Sequence, residues 1–146
     1  MHHLAILNPK RKLLDKILSG EKTIESRWYV HKIAPWGKIT AGDVVYFKDA
    51  GKHVTVHATV HKVIQKKLQT PADALPFLKQ FAKQIQLSED ALANLEWLHK
   101  KRYMILIFLS KPQKTQPFSI NKQGYGSACA WISVPDIELL KETRKK

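Results

Sequence analysis

Within SGEKTIESRW, residues 19–28, a lysine, a glutamate and an arginine stand at Lys22, Glu25 and Arg27, just after a glycine that reads as a helix end. If Thr23 to Tyr29 is extended, Thr23, Glu25, Arg27 and Tyr29 share one face while Ile24, Ser26 and Trp28 share the other. Glu25 and Arg27 are then neighbours, and the preceding turn can swing Lys22 over the same face. Such a trio has two chemical uses. As cations, Lys22 and Arg27 clamp a phosphate, the arginine through its bidentate fork. Alternatively, partial burial and the like charge of Arg27 lower the lysine pKa, making it a general base or nucleophile. The plain alternative is a solvated Glu25–Arg27 pair worth under about 1 kcal/mol.

A second candidate element is NKQGYGSACAW, residues 121–131. Gly124 and Gly126 can take positive φ and bring backbone N–H groups near a phosphate or carbonyl. Ser127 can donate to the same group, and Tyr125 can stack on a base. As a pattern it also suits an ordinary turn before a last strand. Trp28, Tyr29, Trp36 and Tyr125 lie on or beside loops, interleaved with His31, Lys32 and Lys38. Trp28 fits a core position, as do Trp97, Phe108 and Trp131. His53, His57 and His61 share a strand face, but residues four apart on a strand are about 13 Å apart and cannot share one ion. They read as solvated, and neither metal nor cofactor is expected. No P-loop, dinucleotide-binding glycine pattern, Cys–His nucleophile signature or paired carboxylate is present.

The elements that must position these residues are legible from punctuation and period. LAIL reads as a short strand. NPKRKLLDKILSG reads as a helix, with Asn8 as N-cap, Pro9 at the first helical position, Gly20 past the end and Leu13, Leu14, Ile17 and Leu18 as a buried stripe. A hairpin turning at 49–52 follows, its second arm alternating Val54, Val56, Ala58 and Val60 with polar residues. The region 70–101 reads as a helical insertion, with Phe77, Leu78, Phe81 and Ile85 on one stripe. Ser88 caps a further helix whose Leu92, Leu95 and Leu98 face inward. YMILIFLS is apolar on both faces, as a central strand would be. ACAWISV is the last strand, and 135–146 a basic helix or tail. The expected fold is α+β: a mostly antiparallel barrel in a single domain spanning 1–146.

Twenty-five Lys and Arg stand against twelve Asp and Glu, a formal charge of +13 over 146 residues. That excess favours polyanions, with nucleic acid first among them. No apolar run approaches the roughly 20 residues needed to span a bilayer, so no membrane partner is expected. His2-His3 is too short to be a tag. The single cysteine, Cys129, suits a reducing compartment, with the cytoplasm as default.

Gly20-x-Lys22-x-x-Glu25-x-Arg27 after a capped helix, Gly42-Asp43 before a hairpin, the opening HLAIL and the closing GYGSACAW together resemble the ASCH (activating-signal-cointegrator homology) family. The resemblance runs through most of the chain. It implies a PUA-like β-barrel with flanking helices and a cleft beside the lysine motif, with RNA or nucleotide binding as the inferred role. Some small bacterial members hydrolyse the amide of N4-acetylcytidine, others are ribonucleases, and the cointegrator type is a nucleic-acid-binding module. The amidohydrolase type uses a lysine matching Lys22, but has threonine where this chain has Glu25. It also uses a further glutamate, for which Glu96 is only a guess. This chain is longer than those enzymes, chiefly through 70–100.

Three functions follow from these readings. The first is a module for RNA, single-stranded nucleic acid or a nucleotide. Lys10, Arg11, Lys12, Lys32 and Lys38 would attract phosphate. Tyr29, Trp36 or Tyr125 would stack, and Glu25 with Arg27 would contact a base. The second is an enzyme in the same cleft, with Lys22 as base or nucleophile, Ser127 or Thr23 as auxiliary hydroxyl and Glu25 positioning the lysine. Backbone N–H groups would steady the oxyanion. The third is a protein-interaction adaptor presenting the 70–101 helices.

Overall fold

Six strands, β1 (His2–Leu7), β2 (Ile24–Tyr29), β3 (Val44–Asp49), β4 (Val54–Lys67), β5 (Tyr103–Phe118) and β6 (Trp131–Val134), form one sheet in the order β2-β5-β4-β3-β1-β6. The computed structural model describes residues 1–126 and 128–142. Only β1 and β3 run parallel; every other neighbouring pair is antiparallel. The α+β reading therefore holds, with a mixed sheet that curls into a half-barrel. Three register shifts between β4 and β5 supply local bends along their length.

The opening helical pattern is interrupted where the sequence suggests continuity. Asn8 does cap, accepting from the Lys10 N–H, and Pro9 does start a turn, but that turn is a 3₁₀ segment ending at Arg11. Lys12 then adopts φ 53°, and helix α1 runs only from Leu13 to Ser19. Of the expected stripe, Leu13 and Ile17 are buried, while Leu14 and Leu18 are half-buried against the same core. Gly20, at φ 85°, reverses the chain into β2, a conformation that favours glycine.

The dual-faced β5 explains why the insertion exists. Ile105 and Ile107 point into the barrel beside Val45, Phe47, Val56 and Val60. Met104 and Leu106 point outward, under helix α2 (Leu75–Ile85) and a 3₁₀ turn at Leu95–Leu98. Each of these four side chains gains about 1.5–3 kcal/mol from burial, which requires cover on both sides of the strand. Helix α3 (Glu89–Ala93) is capped by Ser88 as expected, but it is too short to carry the predicted stripe. Leu92 lies exposed, whereas Leu98 is buried and Leu95 half-buried. A 3₁₀ turn, Ile137–Leu140, follows β6 and buries Ile137 and Leu140 against its outer face. Residues 143–146 of the expected tail lie outside the described residues.

The sheet has two free edges, β2 and β6, and a side chain spans the seam between them. Arg27 on β2 donates from Nη1 to the Ala130 carbonyl at 3.3 Å and from Nη2 to the Ile6 carbonyl of β1 at 3.5 Å. Its guanidinium also lies 5.0 Å over the Trp131 ring. The mouth of the barrel at this seam is where the lysine motif lies.

The histidines are more engaged than the sequence suggests. His3, which carries no local signal in the sequence, is wholly buried and hydrogen-bonds Asp43 through Nε2 at 2.8 Å. Its Nδ1 meets Ser133 Oγ at 2.9 Å and the Trp131 indole N–H at 3.3 Å. Indole is a donor only, so Nδ1 accepts and the neutral ring carries its proton on Nε2, aimed at Asp43. His53 and His57 reach Ser119 and Thr115 of neighbouring segments at 2.8 and 3.1 Å, so these two are tied across the sheet and not simply solvated.

Candidate functional site

The chain between α1 and β2 is held at its backbone from two sides. The Lys22 N–H donates to the Lys16 carbonyl of α1, and the Thr23 N–H to the Gln84 carbonyl of α2. This threading drives the Lys22 side chain inward, to 3% exposure. Its ammonium donates to the Ile24 carbonyl at 2.8 Å and the Ile85 carbonyl at 2.6 Å, and stands 3.4 Å from Glu25 Oε1. Two hydrogen bonds and one ion pair thus surround the ammonium. Ile85 closes α2, so the charge also sits at the negative end of that helix. The Arg11 guanidinium adds a second cation there, donating to the Gln86 carbonyl.

Glu25, 5% exposed, is the hub. Oε1 accepts from the Ser26 N–H at 3.1 Å, and Oε2 accepts from Arg27 Nη2 at 3.2 Å. Burial alone would raise the Glu25 pKa, but Lys22 and then Arg27 outweigh it and hold the carboxyl below its ordinary range. Burial lowers the Lys22 pKa, and Glu25 pulls it back only in part. Arg27 Nε is buried with no hydrogen-bond partner among the described residues, leaving one donor of the fork unspent.

Above this floor lies a cleft of about 440 Å³, lined by Lys22, Glu25, Ser26 and Arg27 together with Arg11, Trp28, Tyr29, Trp97 and Lys101. Trp28 and Trp97 meet edge to face, ring centres 5.2 Å apart, and form one wall. Trp28 Nε1 donates to Ser26 Oγ at 3.0 Å, which fixes the ring. A carboxylate, cations and an aromatic wall in a space of this size suit a nucleotide-sized anion.

A second depression, of about 430 Å³, adjoins the first. Tyr29 borders both, and Ile33, Lys38, Tyr125, Ala130, Trp131 and Ser133 border the second. Burial pushes the Tyr29 phenol up, with the positive charge of Arg27 working against it.

The residues singled out in the sequence thus divide. Lys22, Glu25, Arg27, Tyr29 and Arg11 come together at the cleft, and Lys38 and Tyr125 at the second depression. Thr23 is exposed and lines neither, because its backbone is tied between Gln84 and Leu109. Lys10 and Lys12 are exposed on the 3₁₀ turn, outside both. Trp36 packs edge to face on Tyr103 at 5.0 Å and lines neither. Glu96 is exposed beside Pro71 and His99, in a separate hollow. Ser127 lies outside the described residues. Lys101, Trp97 and Ser26 line the cleft without having been singled out. Lys101 belongs to the basic run 99–102, a visible signal, but nothing in sequence placed that run against β2. Among the described residues no group of three His, Cys, Asp or Glu could hold a metal.

Solved structures bear on the frame. An ASCH protein from Zymomonas mobilis is 16% identical, covering 94% of this chain and 90% of that one, at a TM-score of 0.65. The fold is that of the ASCH domain. A tyrosine-to-phenylalanine variant of the Zymomonas protein matches at 15% identity over 94% and 93%, with a TM-score of 0.66. A separately solved hypothetical protein is 19% identical, covering 77% of this chain and 100% of its own, at 0.51. No family profile and no curated protein matches the chain. Among the described residues no helix is long and apolar enough to cross a membrane.

Proposed function

We propose that this chain is a member of the ASCH family, acting as one unit over 1–146, and that its basic cleft binds RNA or a nucleotide. The observation that carries the reading is the Glu25 carboxylate, held ionised by Lys22 and Arg27 in a cleft also lined by Arg11, Lys101 and the Trp28–Trp97 wall. A fixed carboxylate accepts from the exocyclic amino group of cytosine or adenine. Cations around it neutralise the phosphate attached to that base, and indole faces suit a stacked ring. The chain's charge of +13 favours the same class of ligand.

The occupancy of Lys22 favours binding over catalysis. Its ammonium donates to two main-chain carbonyls and is ion-paired with Glu25. A lysine acting as base or nucleophile would have to surrender a proton that these contacts hold in place. Lys22 acts here as a strut that aims Glu25.

The test is retention of labelled single-stranded RNA on a filter across salt, run beside chromatography of the RNA and of N4-acetylcytidine. Retention should fall steeply between about 50 and about 200 mM salt, as counterion release requires. A flat salt response would sink the reading. Turnover of either substrate, lost in Lys22→Ala, would replace it with an enzyme.

A further inference from the structure

The second depression differs in character from the cleft it adjoins. No Asp or Glu lines it, and its walls are Ile33, Ala34, Tyr125, Ala128 and Ala130, with Lys38 at the rim. Ile33 and Tyr125 are among the exposed large apolar side chains, 53% and 44% accessible. Apolar surface concentrated in one concavity marks a place built to be covered. The two hollows meet along a ridge at Tyr29 and Arg27. Tyr29 belongs to both, and Arg27, a cleft residue, bonds to Ala130 and lies over Trp131 on the far side.

We infer that the ligand is a strand and not a free nucleoside: one base enters the cleft, its neighbour lies in the second depression, and the linking phosphate crosses the ridge at Arg27. This rests on the reading of the cleft as a nucleotide site. The chemistry divides accordingly. The cleft offers Glu25 and can discriminate a base edge. The second hollow offers chiefly apolar and aromatic surface, which accepts any base by its π-face. Among the described residues lining the cleft, Arg27 is the cation that also bonds to a residue of the second hollow, through the Ala130 carbonyl, and lies over its Trp131. An apolar peptide would suit the second hollow alone, but it would gain nothing from the cationic ridge and would leave the cleft empty.

The experiment compares cytidine 5′-monophosphate, pCpC and pCpCpC, and the matching adenylates, by calorimetry at fixed salt. The dinucleotide should bind about tenfold or more tighter than the monophosphate, the size of one stacked base. The third nucleotide should add much less. Ile33→Ser should erase the dinucleotide's advantage and leave monophosphate affinity unchanged, and Tyr125→Ala should erase it as well. Both residues are exposed, so folding is not at stake. Equal affinity for mono- and dinucleotide overturns the inference and leaves the cleft reading standing. An advantage that survives both substitutions overturns it too. Failure of every length to bind overturns the cleft reading, and the inference with it.

Discussion

Lys22 Nζ stands 3.4 Å from Glu25 Oε1, and both groups are shut away from solvent at the foot of the cleft. The pair joins the end of α2 to β2, so it is as much a fastening as a feature of the site. Removing one member leaves a buried charge with fewer partners, a defect that commonly costs about 3–5 kcal/mol. Lys22→Met and Glu25→Gln should each lower the free energy of unfolding, read from urea titration, by that order. The double substitution should cost clearly less than the sum of the two. Strict additivity in the cycle would show that the two groups do not interact.

Acid should destabilise the fold through His3. Burial holds the His3 pKa below its ordinary 6.5, although Asp43 works to raise it. Below that value the unfolded chain takes up a proton that the folded ring refuses, so the unfolded state binds more protons and stability falls with pH. Asp43 acts in the same direction further down. Burial would raise its pKa, but hydrogen bonds from His3 and the Thr40 N–H hold it low, and that stability is lost as pH falls through the folded value. The melting temperature, flat from pH 8 to 7 on this account, should decline from about 6.5 downward. His3→Gln should remove the upper part of that decline. An unchanged profile in that variant would clear His3 of the effect.

Arg27→Lys keeps the charge and should still be costly. One ammonium cannot reach the Ala130 and Ile6 carbonyls and Glu25 Oε2 together, as the guanidinium does. A loss of about 1–3 kcal/mol is expected, with weaker RNA retention. Amide hydrogen exchange would localise the change: Ile6 N–H, bonded to the Ala130 carbonyl, should lose protection before β4 does. Unaltered exchange at that amide would mean that Arg27 does not hold the seam.

Arg11 and Lys101 flank the cleft from different elements and should act separately. If each meets one phosphate of a single strand, Arg11→Ala and Lys101→Ala should each reduce the slope of log affinity against log salt by about 0.7. The double variant should lose about twice that. A slope that stays constant while affinity falls would assign these residues to packing or to base contact.

Local rules reached some parts of this molecule and not others. The alternation in Val54–Val60 and the double-faced apolar run in β5 are periodic signals that packing reinforces, so strand and face were readable. Gly20 and the extended run after it placed Lys22, Glu25 and Arg27 near one another. That Lys22 would cap α2 was not readable, because its acceptor at Ile85 is sixty-three residues away in the chain. The break at Lys12 was missed for the opposite reason: Asn8, Pro9 and Gly20 are correct signals for one helix, and a single residue at φ 53° divides it into two. The role of His3 was not readable, because a lone buried histidine carries no local pattern. Its meaning arises from Asp43, Ser133 and Trp131, which only the sheet order brings together.

The place of β1 between β3 and β6 sets a timetable for the chain as it is made. One edge of β1 is satisfied once Val44–Asp49 has been synthesised; the other waits for Trp131–Val134, more than eighty residues later. At about 5–20 residues per second, a ribosome leaves that edge open for several seconds. Over that interval Leu4 also lacks Ile132, Val134 and Ile137, the cover that completes its cluster. The nascent chain therefore carries an apolar strand paired on one edge only until Trp131–Val134 emerges, which makes β1 the segment a chaperone would hold.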